Sequence, residues 1–262
     1  MVSGAARGKD GPSKFVAEPA LKTSLSPNCK PCQNQLLAGL PDPDLARWAD
    51  ALEPVHLSLG QVLCESGSSA AYVYFPTTAI VSLLYLTQDG DSSEIAVVGR
   101  DGVVGISVFM GGNATPSRSV VQSAGQGLRL PAQLVKQEVG RAGAIQTMLL
   151  HYTQTLMAQV AQTAACNRYH SIDQLLCRRL LLGLDRRPSE ALMMTQELLA
   201  NLLGVRREGV TAAALKLSQA GLISYSRGRI AVLDRARLEQ RIGHPVMAAN
   251  KQRGAQLSPL AA

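Results

Sequence analysis

The stretch that most constrains this chain is Thr195 to Leu217, TQELLANLLGVRREGVTAAALKL. Its spacing predicts two short helices joined by a tight turn at Gly204. Leu199 and Leu203 before the turn, Val205 in it, and Val210 and Ala213 after it lie where such a pair must meet. Ala200 is small where the helices approach most closely. Gly204 suits a turn that needs positive φ. Thr195 can cap the first helix, followed by Gln196, and Glu197 sits favourably in its first turn. The second helix opens Arg206-Arg207-Glu208, with Thr211 one turn later. Two guanidinium groups and a carboxylate at that end suit contact with base edges in a major groove. A solvated helical hairpin is the plainer alternative, and the residues that follow weigh against it. Two β-like pieces, 223–226 and 230–233, flank Arg227-Gly228-Arg229. Helix, turn, helix and a basic hairpin is the pattern of a winged helix, in which Arg227 and Arg229 reach phosphates.

The charge is placed to match. The formal net charge is +7. Residues 168–241 carry 13 Arg and Lys against 7 Asp and Glu, whereas residues 34–140 carry 5 against 10. The basic surplus overlaps the helix pair, as an electrostatic footprint for nucleic acid should. Aromatic residues are only 4%, too few for the stacking platforms of single-strand or RNA binders. These features point to double-stranded DNA as the partner. No apolar run spans a membrane and the N-terminus has no apolar signal core, so the expected location is the cytoplasm, with no membrane partner.

Before the basic region the pattern changes twice. Between residues 54 and 131, seven β-like pieces alternate with turn signals, which predicts an antiparallel barrel or sandwich. The turn signals include Glu65-Ser66-Gly67, Gln88-Asp89-Gly90-Asp91 and Gly125-Gln126-Gly127. The run from Gly99 to Gly105 reads as a glycine-rich bend leading into a short helix. From Leu134 the period becomes helical. Ile145, Met148, Leu149, Tyr152, Leu156 and Val160 share one face, and residues 141–167 carry a single charge, Arg141. A helix so poor in charge is read as buried between its own domain and the same helix of a second subunit, giving a homodimer. Burial within one subunit is the alternative. A second helix runs from Ser171 to Leu184, and Asp185-Arg186-Arg187-Pro188-Ser189 reads as a polar break. The expected organisation is a disordered tail at 1–33, a sensor domain at 34–140, a dimerisation helix at 141–167, a winged helix-turn-helix at 168–240, and a tail at 241–262. The fold class is α+β: an antiparallel, jelly-roll-like β-roll, a long helix, and a winged helix-turn-helix.

This order, β-roll then long helix then winged helix, resembles the Crp/Fnr family of bacterial transcription regulators over residues 34–240. The match is strongest at Gly204-Val205-Arg206-Arg207-Glu208 and Gly221-Leu222-Ile223. Thr163-Ala164-Ala165-Cys166-Asn167-Arg168 resembles a branch of the family. The resemblance implies that Arg207 and Glu208 read bases, Arg pairing with guanine and Glu accepting from cytosine. Ala212 stands where the family commonly has a further reading Arg, so the preferred sequence should differ there. It further implies an inverted-repeat site, RNA polymerase as a partner, and an unidentified small-molecule effector. The family's cyclic-nucleotide cassette is similar to Gly105 and Arg118-Ser119, the candidate effector residues. Its ribose-binding Glu falls on Ile106, whose side chain cannot accept a hydrogen bond from a hydroxyl, and the spacing to Arg118 is longer. Ordinary cyclic-AMP binding is therefore not expected, and Arg118 has a structural salt bridge as its other role.

Five cysteines, Cys29, Cys32, Cys64, Cys166 and Cys177, form no disulfide framework. Cys29 and Cys32 are weak metal candidates, and a redox or oxygen sensor of the same architecture is the alternative reading. His56, His151, His170 and His244 have no ligand spacing, so no metal and no cofactor are expected. No nucleophile–base pair or phosphate loop points to an enzyme.

Overall fold

The structure is a computed structural model, and it describes residues 30–89, 92–112, 114–186, 191–226 and 228–243. Asn34 ties the start of the β-rich domain together. Its side-chain oxygen caps helix α1 (Gln35–Ala38), while its Nδ2 donates to the carbonyls of Pro76 and Gly102. Residues 30–33, expected in a disordered tail, instead include a 3-10 turn over Pro31–Gln33. Pro41 and Pro43 open the next helix, α2 (Asp42–Ala49), which buries Trp48 against Phe75.

Seven strands follow: β1 (Glu53–Leu57), β2 (Val62–Cys64), β3 (Tyr72–Pro76), β4 (Ile80–Leu86), β5 (Ser92–Val98), β6 (Arg118–Ser123) and β7 (Gly125–Pro131). They form two antiparallel sheets, ordered β1-β7-β3 and β2-β6-β4-β5. Leu57, Val73, Phe75, Val81, Val98, Val121, Leu128 and Leu130 fill the space enclosed. The glycine-rich bend delivers Gly105 at φ 104° into a 3-10 turn over Ile106–Val108. One expected turn is absent. Gly125-Gln126-Gly127 lies inside β7, paired with Leu57, His56 and Val55. These glycines serve close approach: a Cβ on Gly125 would lie 2.4 Å from the Ala79 nitrogen.

Helix α3 (Ala132–Val139) leads to the long helix α4 (Ala144–Tyr169). Ile145, Leu149, Tyr152 and Leu156 are buried, and all four belong to the barrel's own core. Tyr152 packs so closely on the β-rich domain that a Cβ on Gly102 would lie 2.6 Å from its hydroxyl. This face is therefore the side of the helix that its own domain buries. A different face of α4 stays open.

Helix α5 (Ile172–Arg186) begins with a reciprocal cap: the Ser171 N–H donates to Gln174 Oε1 at 2.9 Å. It runs through Asp185 and Arg186, so the polar break expected there is helical at its start, with Asp185 exposed and Arg186 only 1% exposed. The rest of the domain is β8 (Ala191–Met193), α6 (Gln196–Leu203), α7 (Arg207–Gln219), β9 (Ile223–Ser226), β10 (Arg229–Val232) and α8 (Arg235–Ile242). A second core gathers Leu176, Leu180, Leu199, Val210, Leu217, Ile230 and Leu238. Ile242 belongs to it, so the expected C-terminal tail begins inside a packed helix. The wing is a three-stranded sheet, β8-β10-β9, of which β8 had no clear signal in so short a run.

Candidate nucleic-acid interface

Thr195 Oγ1 accepts from the Leu198 N–H at 3.1 Å and so caps α6. Such a cap contributes about 1 kcal/mol. Gly204 closes the helix at φ 64°, a left-handed conformation that favours glycine. Val205 is half-buried behind it. Helix α7 then starts at Arg207, and Arg206 is the residue that precedes it rather than its first turn. Val210, Ala213, Ala214 and Leu217 seat α7 on the core. That leaves its first turn on the outside: Arg206, Arg207 and Glu208 are all exposed. Among the described residues, none of these three side chains has an ion pair or hydrogen bond. An Arg and a Glu with no internal partner are free to engage acceptors and donors outside the chain.

The structure brings the two helices' contact candidates together. Thr211 Oγ1 donates to Gln196 Oε1 at 2.8 Å and lies 3.0 Å from the Arg207 carbonyl. Thr195, Gln196, Arg207 and Thr211 therefore share one side of the helix pair. Arg229 is exposed on the wing next to Gly228, whose φ is 76°. The Met194 N–H donates to the Gly228 carbonyl at 2.7 Å, which ties the wing turn to the approach to α6. Arg227 lies outside the described residues.

The effector candidates sit on two elements: Gly105 precedes the 3-10 turn at Ile106, and Arg118 and Ser119 open β6. Arg118 Nε is 3.0 Å from Glu65 Oε2, and Ser119 is buried within β6. Ile106 is half-buried beside Gly105. A cavity of about 350 Å³ opens next to the 3-10 turn at Ile106–Val108, lined by Ser69, Ala70, Ser107, Val108, Gly112 and Lys136. None of Gly105, Arg118 and Ser119 is among its lining residues. Cys29 lies outside the described residues, and Cys32 is an exposed free thiol. Cys64, Cys166 and Cys177 are buried, and burial pushes the Cys177 thiol up to about 11. Among the described residues no group of three or more His, Cys, Asp and Glu is placed to hold a metal ion. No described helix is long and apolar enough to cross a membrane.

A family model for the Crp-like helix-turn-helix domain matches residues 176–241, and one for the cyclic nucleotide-binding domain matches residues 54–141. No curated protein matches the chain. Solved structures share the fold. FixK2 from Bradyrhizobium japonicum is 16% identical with a TM-score of 0.62, over 74% of this chain and 98% of that one. A CRP-family transcriptional regulator from Thermus thermophilus is 19% identical with a TM-score of 0.61, over 73% and 98%. The c-di-GMP-responsive global regulator CLP of Xanthomonas campestris is 15% identical with a TM-score of 0.60, over 74% and 100%. A cyclic-nucleotide-binding β-roll joined by a long helix to a Crp-like helix-turn-helix is the domain pairing of one group of proteins, and this chain belongs to it: the Crp/Fnr family of transcription regulators.

Proposed function

We propose that the chain acts as a homodimer on an inverted-repeat DNA site, with one reading helix, α7, from each subunit. The observation that carries this reading is the exposed, internally unpaired Arg207-Glu208 pair at the N-terminal turn of a helix that the core holds rigidly. Two-fold symmetry then sets half-sites about 34 Å apart, one turn of the duplex. Three working parts follow: residues 34–140 as sensor, 141–167 as dimerisation helix and 168–240 as reading head.

The open face of α4 supports the dimer. Leu150, Gln154, Met157, Ala161, Ala164 and Arg168 are all exposed, at alternating steps of four and three. That is the period of a two-helix seam, and it carries one charge, at its end. Leu150 is 53% and Met157 65% exposed, uncommonly open for large apolar residues on one helix. A second copy of the same helix is the self-complementary occupant.

The sensor is read as one that does not take cyclic AMP in the family's usual way. Ile106 gives the ribose no acceptor, and Glu65 already engages Arg118. Any effector, and any contact with RNA polymerase, belongs to other surfaces.

The test separates reading from positioning. Arg207→Ala should cost roughly 1–3 kcal/mol on the best site and relax preference at one base position. Arg229→Ala should weaken all duplexes alike and lower the salt slope by about one. Titrations of both variants against specific and scrambled duplexes across a salt series decide it. Equal weakening of both duplexes by Arg207→Ala would remove α7 as the reader.

A further inference from the structure

The two hydrophobic cores share no residue, yet the reading head is seated on the sensor. Helix α6 lies along β5, an edge strand of its sheet, and a Cβ on Gly204 at the turn would lie 3.6 Å from Ser93 Oγ. Beneath this contact the seam is charged and buried. Arg179 of α5 is 2% exposed and pairs through Nε with Glu94 Oε1 of β5 at 3.1 Å. Glu94 Oε2 accepts from the Ser82 hydroxyl of β4 at 2.6 Å. Arg179 Nη2 donates to Gln122 Oε1 of β6. One turn pair further along α5, Arg186 Nη2 meets Asp101 Oδ2 at 3.2 Å and Gln159 Oε1 of α4 at 3.3 Å. Gln159 in turn donates to the Val97 carbonyl of β5 at 3.2 Å. Two strands of the sensor, braced by Ser82 of β4, together with Asp101 and the long helix thus grip two arginines of one reading-head helix.

We propose that Glu94 and Arg179, seconded by Asp101 and Arg186, are positioning residues: they lock α5 onto the sensor sheet in one orientation and so set the half-site spacing that the dimer accepts. The spacing part rests on the dimeric DNA-binding reading above. The physical reason is that a buried ion pair adds little net stability, because both charges are also well solvated apart, but it fixes geometry. Both Glu94 oxygens are taken by named partners. A head displaced by one residue along β5 would leave a carboxylate and a guanidinium buried without them. Sliding is also blocked sterically: a Cβ on Gly99 would lie 2.8 Å from the Arg186 Cβ. An apolar seam of similar size would tolerate several registers. Burial raises the Glu94 carboxyl above its usual range and Arg179 opposes that rise, so the pair is mutually dependent.

The experiment has two arms on the full-length protein. In hydrogen exchange, Glu94→Gln should lose amide protection at least tenfold in β5 and α6, while α7 and the barrel strands β3 and β7 keep theirs. In DNA binding, duplexes carry the preferred inverted repeat with the spacer changed by one or two base pairs either way. The wild type should lose roughly tenfold or more for one base pair, since each step also rotates the half-site. Glu94→Gln should flatten that profile to within about threefold and leave half-site against scrambled preference intact. The swap Glu94→Arg with Arg179→Glu should restore both readouts, and Arg179→Met, which keeps the packed stem, should behave like Glu94→Gln. Unchanged protection in β5 and α6 overturns the proposal. So does protection lost everywhere at once, which marks a merely structural role. A wild type with no preference for an inverted repeat defeats the dimeric reading, and the exchange arm still decides the joint.

Discussion

Gly125 shows how little a residue type reveals without its neighbours. In sequence, Gly-Gln-Gly looks like a turn. In the fold it is a strand pressed against the Thr78–Ala79 backbone, where any side chain would collide. Gly125→Val should therefore destabilise the protein by about 2–4 kcal/mol in chemical denaturation, and an unchanged midpoint would refute the close approach. Arg186 was hidden for a related reason. Asp-Arg-Arg-Pro-Ser has the composition of a solvated linker, and the acceptors that bury Arg186 come from α4, from its own helix and from the sensor. Thr195 and Gly204 were legible because a cap and a left-handed helix end are local demands that the residue itself meets.

At the scale of elements, α4 has two faces that the hydrophobic period alone could not assign. Ile145, Leu149, Tyr152 and Leu156 close the barrel, whereas Leu150 and Met157 point outward. Periodicity marks a buried face, but it does not say whether the cover is the same chain or another. The assignment makes a contrast measurable by sedimentation and thermal melting. Met157→Glu should give folded monomers with a nearly unchanged midpoint. Leu149→Glu should lower stability by about 3 kcal/mol or more, because a charge would enter a closed core. Folded monomers from Leu149→Glu, or dimers from Met157→Glu, would reverse the two faces. The seven sensor strands were legible from alternation and turn signals. The seating of α6 on β5 was not, since it depends on pairings between distant residues.

For the whole molecule, the divided charge and the two domains describe a transcription regulator whose basic surplus lies in its DNA-binding helix-turn-helix end. In the β-roll, Arg118 pairs with Glu65, and the Ile106 side chain has no polar group. Calorimetry with millimolar cyclic AMP should give no saturable heat, and tight binding would show that another side chain serves the ribose. The most direct test of the central claim is selection of bound duplexes from a random pool by the wild-type protein, with the enriched sequences read out. The account predicts an inverted repeat whose half-site centres lie about 34 Å apart, with guanine and cytosine fixed where Arg207 and Glu208 reach. Enrichment of a single unsymmetrical site, or of no sequence at all, would contradict it.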